Sequence, residues 1–198
     1  SGLRVQTTSP SLGGANVRFP LEKRDYLDML VMRISGTYTV ATAALVLLPR
    51  APWNIFSAMR LSPPGRQKPV EIGGWSVRLI NLLRRDFGPF TPTARDIRTD
   101  GLDANTGRSA TLQVFPLAVG AQTFELWLRI PFRRSSTDPR GRIPLKNATE
   151  TVLYLTPNTA ANLVTTTANL TVPVLNVQIW QVGYDEPPQG GNVLPADT

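Results

Sequence analysis

In 198 residues the chain has no cysteine and no histidine. The first absence removes any disulfide framework and any thiolate nucleophile, and leaves the compartment open. The second removes the one side chain that titrates near neutral pH without perturbation, and with it the commonest zinc ligand. Lysine is scarce: only Lys23, Lys68 and Lys146 stand among 21 basic residues, and the rest are arginine. Long apolar runs are missing too. The longest, Val40 to Leu48, is interrupted by Thr42 and stopped by Pro49, far short of the ~20 residues that a membrane-spanning helix needs. The start, Ser1-Gly2-Leu3-Arg4, lacks an apolar core, so no signal peptide is expected. No internal repeat is visible at a period of about 20–50 residues.

The residues that are present describe a folded chain. Apolar residues make up 41%, which excludes disorder despite 18 prolines and 15 glycines. A domain of this length buries roughly 70% of the surface its unfolded chain exposes, so it needs neither metal nor disulfide. The net charge of +7 suits a neighbour of nucleic acid or of an anionic membrane. Arginine suits planar contacts to carboxylates and phosphates at interfaces; its excess fits a GC-rich coding sequence equally well.

Strand patterns begin near Tyr26. Leu30, Met32 and Ile34 alternate onto one face, Ser35-Gly36 punctuates, and Thr37-Tyr38-Thr39-Val40 resumes. Trp53 to Leu61 is a further strand, closed by the turn Ser62-Pro63-Pro64-Gly65. From Trp75 to Phe87 the spacing changes: Trp75, Leu79, Leu82, Leu83 and Phe87 share one helical face, and Gly88-Pro89 ends it. Residues 88–108 are loop-like. Strands return at Ala110–Phe115 and at Thr123–Ile130, where Phe124, Leu126, Leu128 and Ile130 face one way and Glu125, Trp127 and Arg129 the other. Glu150–Leu155 and Leu170–Val182 follow. In the last, Val177, Ile179 and Val182 are expected on the core face, and Pro173 marks an edge or bulge. The predicted fold class is all-β, a jelly-roll sandwich of about eight strands with one inserted helix. Residues 1–20 are expected as an extended amino-terminal arm, 21–183 as the jelly-roll domain and 184–198 as a carboxy-terminal tail.

The polar constellations give little chemistry. Asp96, Asp100, Asp103 and Asn105 form the densest oxygen cluster, candidates for Ca²⁺, yet no terminal bidentate Glu follows, and turn formation beside Arg95 and Arg98 is the plainer expectation. No metal and no cofactor are expected. Glu71, Glu125 and Glu150 are the carboxylates a glycosidase could use. Glu125 beside Trp127 would also suit a carbohydrate-binding face, with Trp127 or Trp180 as stacking platform. A solvated or subunit-facing strand surface is the plainer reading. Gly73-Gly74 is a tight strand-to-helix turn rather than an anion cradle. Basic residues gather at Arg18, Lys23 and Arg24, at Arg84-Arg85, and at Arg133-Arg134 with Arg140 and Arg142. Aromatic interleaving is weak at all three, which favours a solvated or inter-subunit role over nucleic-acid readout. The sequons at Asn147 and Asn169 are short enough to arise by chance.

The order of features resembles a known family. Phe19-Pro20-Leu21 precedes the strand through Arg33-Ile34-Ser35-Gly36-Thr37-Tyr38-Thr39-Val40. Ala51-Pro52-Trp53-Asn54-Ile55, Gly73-Gly74-Trp75 and Ile130-Pro131-Phe132 follow in turn. Over residues 19–182 this layout is similar to the first roll of the vertical jelly-roll major capsid proteins of tailless icosahedral, internal-membrane phages and their adenovirus-like relatives. The resemblance implies a viral structural protein, not an enzyme, located in the virion and forming an icosahedral shell. It implies homo-oligomeric capsomers, other capsid proteins as partners, and no small-molecule substrate. The alternative class is a carbohydrate- or receptor-binding β-sandwich of a spike or accessory domain. The family builds its capsomers from two rolls, on one chain or on two proteins; this sequence has room for one, which fits either a single-roll capsid protein or a processed or expressed half. The arm, with Arg4, Arg18, Lys23 and Arg24, would then make inter-subunit contacts or face the viral membrane or genome.

Overall fold

In the computed structural model, the described residues are 5–23, 25–62, 70–83, 115–133, 140–145, 151–171 and 174–184. They form nine strands and one α-helix: β1 (Val5–Thr8), β2 (Val17–Leu21), β3 (Tyr26–Val40), β4 (Phe56–Ser62), β5 (Val70–Ile72), α1 (Gly74–Leu83), β6 (Gly120–Pro131), β7 (Ile143–Pro144), β8 (Thr151–Pro157) and β9 (Val174–Tyr184).

β3 is the spine. Leu30, Met32, Ile34, Tyr38 and Val40 point into the core, and Arg33, Ser35, Thr37 and Thr39 point away, as a side-chain period of two requires. The expected break at Ser35-Gly36 is absent. The strand runs straight through, because Gly36 sits between Phe124 of β6 and Leu175 of β9. A Cβ there would lie 2.7 Å from the Phe124 ring and 2.8 Å from the Val174 carbonyl oxygen. Glycine makes room for an aromatic neighbour instead of ending the strand.

The pairing is nested. β1 pairs with β9, β2 with β8, β3 with β6, and β4 with β5, all antiparallel. β3 also pairs with β9, and β4 with β8. The result is two sheets in the orders β1-β9-β3-β6 and β2-β8-β4-β5. The two-residue β7 continues the line of β6 along β3 at Tyr26 and Leu27. Without it, eight strands wrap as one long doubled-over hairpin, the jelly roll that the strand count predicts.

The expected arm over 1–20 is corrected by this pairing. Val5–Thr8 and Val17–Leu21 are the first strands of the two sheets. Their sequence signal is weak because both are short, and their partners lie at the far end of the chain. The last strand needs a smaller correction. Val177 and Ile179 face the main core, but Val182, an odd number of residues further on, packs on the opposite side.

α1 begins at Gly74, pressed against the Trp53 carbonyl where a side chain would collide. Its buried face is Gly74, Val77, Arg78 and Asn81, and Leu79 is 40% exposed. Of the expected stripe, Trp75 packs half-buried on the main core and Leu79 does not; the side chains of Leu82, Leu83 and Phe87 lie outside the described residues. Polar groups with specific partners fill the rest of the buried face: the Arg78 guanidinium lies 4.3 Å over the Trp53 ring, and the Asn81 amide brackets the backbone of Arg129. Asn81 Nδ2 donates to the Arg129 carbonyl at 2.5 Å, and Arg129 N donates to Asn81 Oδ1 at 2.8 Å. Since β6 is the last strand of its sheet, the helix closes an edge that would otherwise offer free hydrogen bonds.

Candidate assembly surface

The outer face of the β9-β3-β6 sheet holds a second, smaller apolar cluster. Met29, Val31 and Trp127 are buried, and Trp180 and Val182 pack on them. Trp127 and Trp180 stack with ring centroids 5.4 Å apart and 17° between planes. Arg33, between them on β3, reaches toward the Trp127 ring at 5.9 Å. It donates to Glu125 Oε2 from Nε at 3.1 Å and from Nη2 at 2.5 Å, and to Gln178 Oε1 at 3.1 Å. Trp127 Nε1 donates to Glu125 Oε1 at 2.7 Å. Beside this ladder lies a hollow of about 570 Å³ lined by Arg33, Ser35, Thr37, Thr123, Glu125 and Asn176.

These contacts decide between two readings of Glu125 and Trp127. The carboxylate accepts hydrogen bonds on both oxygens, from Arg33 on one and from Trp127 on the other. Trp127 is 9% exposed and its ring already stacks on Trp180, which leaves it no face for a sugar. The surface is a cross-strand ladder that stiffens the sheet.

A second polar site anchors the opposite end of the roll. The β3–β9 register shifts between Leu27 and Met29, around Asp28. The Asp28 carbonyl accepts from Phe132 N at 2.9 Å and from Arg133 N at 3.4 Å. Its carboxylate lies 2.6 Å from Arg142 Nε and 3.6 Å from Arg133 Nη1. Of the Arg133-Arg134-Arg140-Arg142 group, two members thus converge on one buried acid. Sequence reasoning passed over Asp28, although an acid between Leu27 and Met29 in an apolar strand is the signal for such an anchor.

The other expected residues scatter. Arg4, Arg24, Asp96, Asp100, Asp103, Asn105, Arg84-Arg85, Asn147 and Glu150 lie outside the described residues. Arg18 is exposed on β2 opposite Tyr154, and Lys23 is exposed beyond that strand. Glu71 is exposed on β5. Asn169 is half-buried and accepts from Thr42 Oγ1 at 3.0 Å. Among the described residues no cluster of three side chains could hold a metal ion, and no helix is long and apolar enough to cross a membrane.

The nested two-sheet order defines a protein of jelly-roll architecture. No family model and no curated protein matches the sequence. Among solved structures, the STIV MCP superposes with a TM-score of 0.55 at 14% identity, covering 91% of this chain and 48% of that one. PBCV-1 VP54, fitted into a reconstruction of the virophage Sputnik, superposes with a TM-score of 0.51 at 12% identity, covering 90% and 42%. Both are viral major capsid proteins. The chain spans about half the length of these neighbours, and at these identities the likeness is one of fold.

Proposed function

We propose that this chain is part or all of a viral structural protein, a jelly roll of a major capsid protein that resides in the virion and packs with copies or partners into an icosahedral shell. The observation that carries the reading is the nested pairing of first strand with last, laid over nearly the whole chain onto half of a major capsid protein. The chemistry is consistent with it. A shell subunit needs closed sheet edges and stiff faces, which Asn81 and the Arg33–Glu125–Trp127 ladder supply. It needs no reactive centre. The neighbours carry about twice this length on one chain; a second roll, on the same chain, on another copy or on a different protein, would supply the rest. The basic residues Arg4, Arg18, Lys23 and Arg24 would make contacts between subunits or with the viral membrane or genome.

Electron microscopy and light scattering of the purified protein, alone and with co-expressed virion proteins, test this. Rings or closed particles are the expected result. A particle of single-chain mass at every concentration, with and without those proteins, would sink the proposal.

A further inference from the structure

One turn carries a side chain that its backbone does not favour. Leu48-Pro49-Arg50-Ala51 lies in the connection from β3 to β4, and Ala51 N donates to the Leu48 carbonyl at 3.1 Å. Proline stands second in this turn, and Arg50, third, has a φ of 77°. That is the pattern of a type II turn, whose third position calls for glycine or asparagine. In the left-handed region a Cβ crowds the following carbonyl, so arginine strains the turn. Among the described residues the other positive φ values belong to Gly13, Gly120 and Gly141. Arg50 is the exception.

The backbone around the turn is fixed. The Arg50 carbonyl accepts from Asn54 N at 3.1 Å, Leu48 N donates to the Leu163 carbonyl at 2.9 Å, and Thr165 N donates to the Val46 carbonyl at 3.0 Å. Asn54 Nδ2 donates to the Asn162 carbonyl at 2.9 Å. The side chain of Arg50 offsets none of the strain. It is exposed, and among the described residues no hydrogen bond, ion pair or ring contact holds its guanidinium. Arg33, Arg78, Arg133 and Arg142, by contrast, meet Glu125, Trp53 or Asp28. Strained backbone that the fold itself does not require gathers at binding sites.

We propose that Arg50 is a contact residue of the assembled shell, held out to take a carboxylate from a neighbouring capsid subunit. This deepens the capsid reading and rests on it. A guanidinium presents paired N–H donors that match the two oxygens of a carboxylate. Phosphate surfaces are met differently: a nucleic-acid backbone or an anionic membrane draws several basic groups acting together. The described residues bonded to this turn are uncharged, namely Val46, Leu48, Asn54, Leu163 and Thr165, and Val46 is 60% exposed. One arginine among apolar and neutral neighbours suits a protein interface, where neutral contacts exclude water around a single strong anchor. Because the backbone is already pinned, only the side chain loses freedom on docking.

Three substitutions separate the strain from the contact. Arg50→Gly removes both, Arg50→Ala removes the contact and keeps a Cβ, and Arg50→Lys keeps the charge without the paired donors. Melting of the unassembled chain by circular dichroism reads the strain. Electron microscopy and light scattering, of the chain alone and with co-expressed virion proteins, read the contact. Arg50→Gly should melt about 1–4 °C above wild type, since glycine's extra freedom in the unfolded chain offsets only part of the relief. Arg50→Ala should melt close to wild type. Both should lose most of their particles, and Arg50→Lys should fall between Arg50→Ala and wild type. Loss in particles of the chain alone assigns the carboxylate to a second copy; loss confined to co-expressed particles assigns it to another virion protein. Wild-type yields of particles from Arg50→Gly or Arg50→Ala would overturn the contact and leave the capsid reading standing. So would an Arg50→Gly chain that melts no higher than wild type, because the turn would then hold arginine without strain. An Arg50→Lys yield no better than that of Arg50→Ala would overturn the carboxylate. Retention on single-stranded DNA or phosphatidylglycerol vesicles, lost in Arg50→Gly while particles persist, would assign the guanidinium to phosphate instead. Wild-type protein that stays at single-chain mass under every condition overturns the contact and the capsid reading together.

Discussion

Tyr38 enters the core ring-first and keeps its hydroxyl paired. The ring stacks on Phe115 at 4.6 Å and tilts against Phe124 at 5.9 Å, and the hydroxyl donates to the Pro116 carbonyl. Burial pushes the phenol above its ordinary ionisation range. The folded state therefore holds this proton more firmly than the unfolded chain does. The stability this contributes is fully present below the unfolded value, near pH ~10. It declines as pH rises above that value toward the folded one. Tyr38→Phe should cost about 1 kcal/mol at neutral pH, by leaving the Pro116 carbonyl unpaired. It should also remove this phenol's share of the alkaline loss. Urea midpoints at pH 8 and pH 11 read the difference, since other titrating groups are common to both proteins. The gap between wild type and variant should narrow or invert at the higher pH; a constant gap would mean that the phenol is not held neutral by the core.

At the scale of elements, the edge of β6 depends on one side chain of α1. Asn81→Ala removes both hydrogen bonds to the Arg129 backbone and leaves buried groups unsatisfied, at about 1–3 kcal/mol for each. For a domain of this size, a loss of about 2–4 kcal/mol lowers Tm by roughly 5–15 °C. Hydrogen exchange gives a sharper reading: the Arg129 amide should lose protection while the β3–β9 amides keep theirs. Unchanged protection at Arg129 would rule the bracket out. This is also where the sequence stops being legible. The alternation of Phe124, Leu126, Leu128 and Ile130 announces β6 and its core face without ambiguity, because a half-buried strand must alternate. Leu30, Met32 and Ile34 do the same for β3. Nothing in the alternation says that Asn81 will meet Arg129, or that Asp28 will gather Arg133 and Arg142, because these pairs are joined only by the turns of the roll. β1 and β2 stayed hidden for the same reason: each is too short to show a period, and each is defined by a partner near the other terminus.

Taken as a whole molecule, the roll is closed by its last strand. β9 lies between β1 and β3 in the middle of its sheet, so removing it opens the sheet on both sides. A chain truncated after Thr171 should show no cooperative thermal transition by circular dichroism. A sharp melt in that fragment would mean that the remaining strands make a stable unit without it. The net +7 was readable from composition, but that residues near 10, 45, 117 and 165 lie at one end follows only from the nesting.

The nesting has a consequence in time. A ribosome delivers β1 first and β9 last, and the first strand finds its partner only after more than 160 residues have followed it. Until then β3, the apolar spine, waits with one flank unpaired and available to a neighbouring nascent chain. In a cell making many copies at once, such a chain profits from chaperone cover until synthesis passes Tyr184.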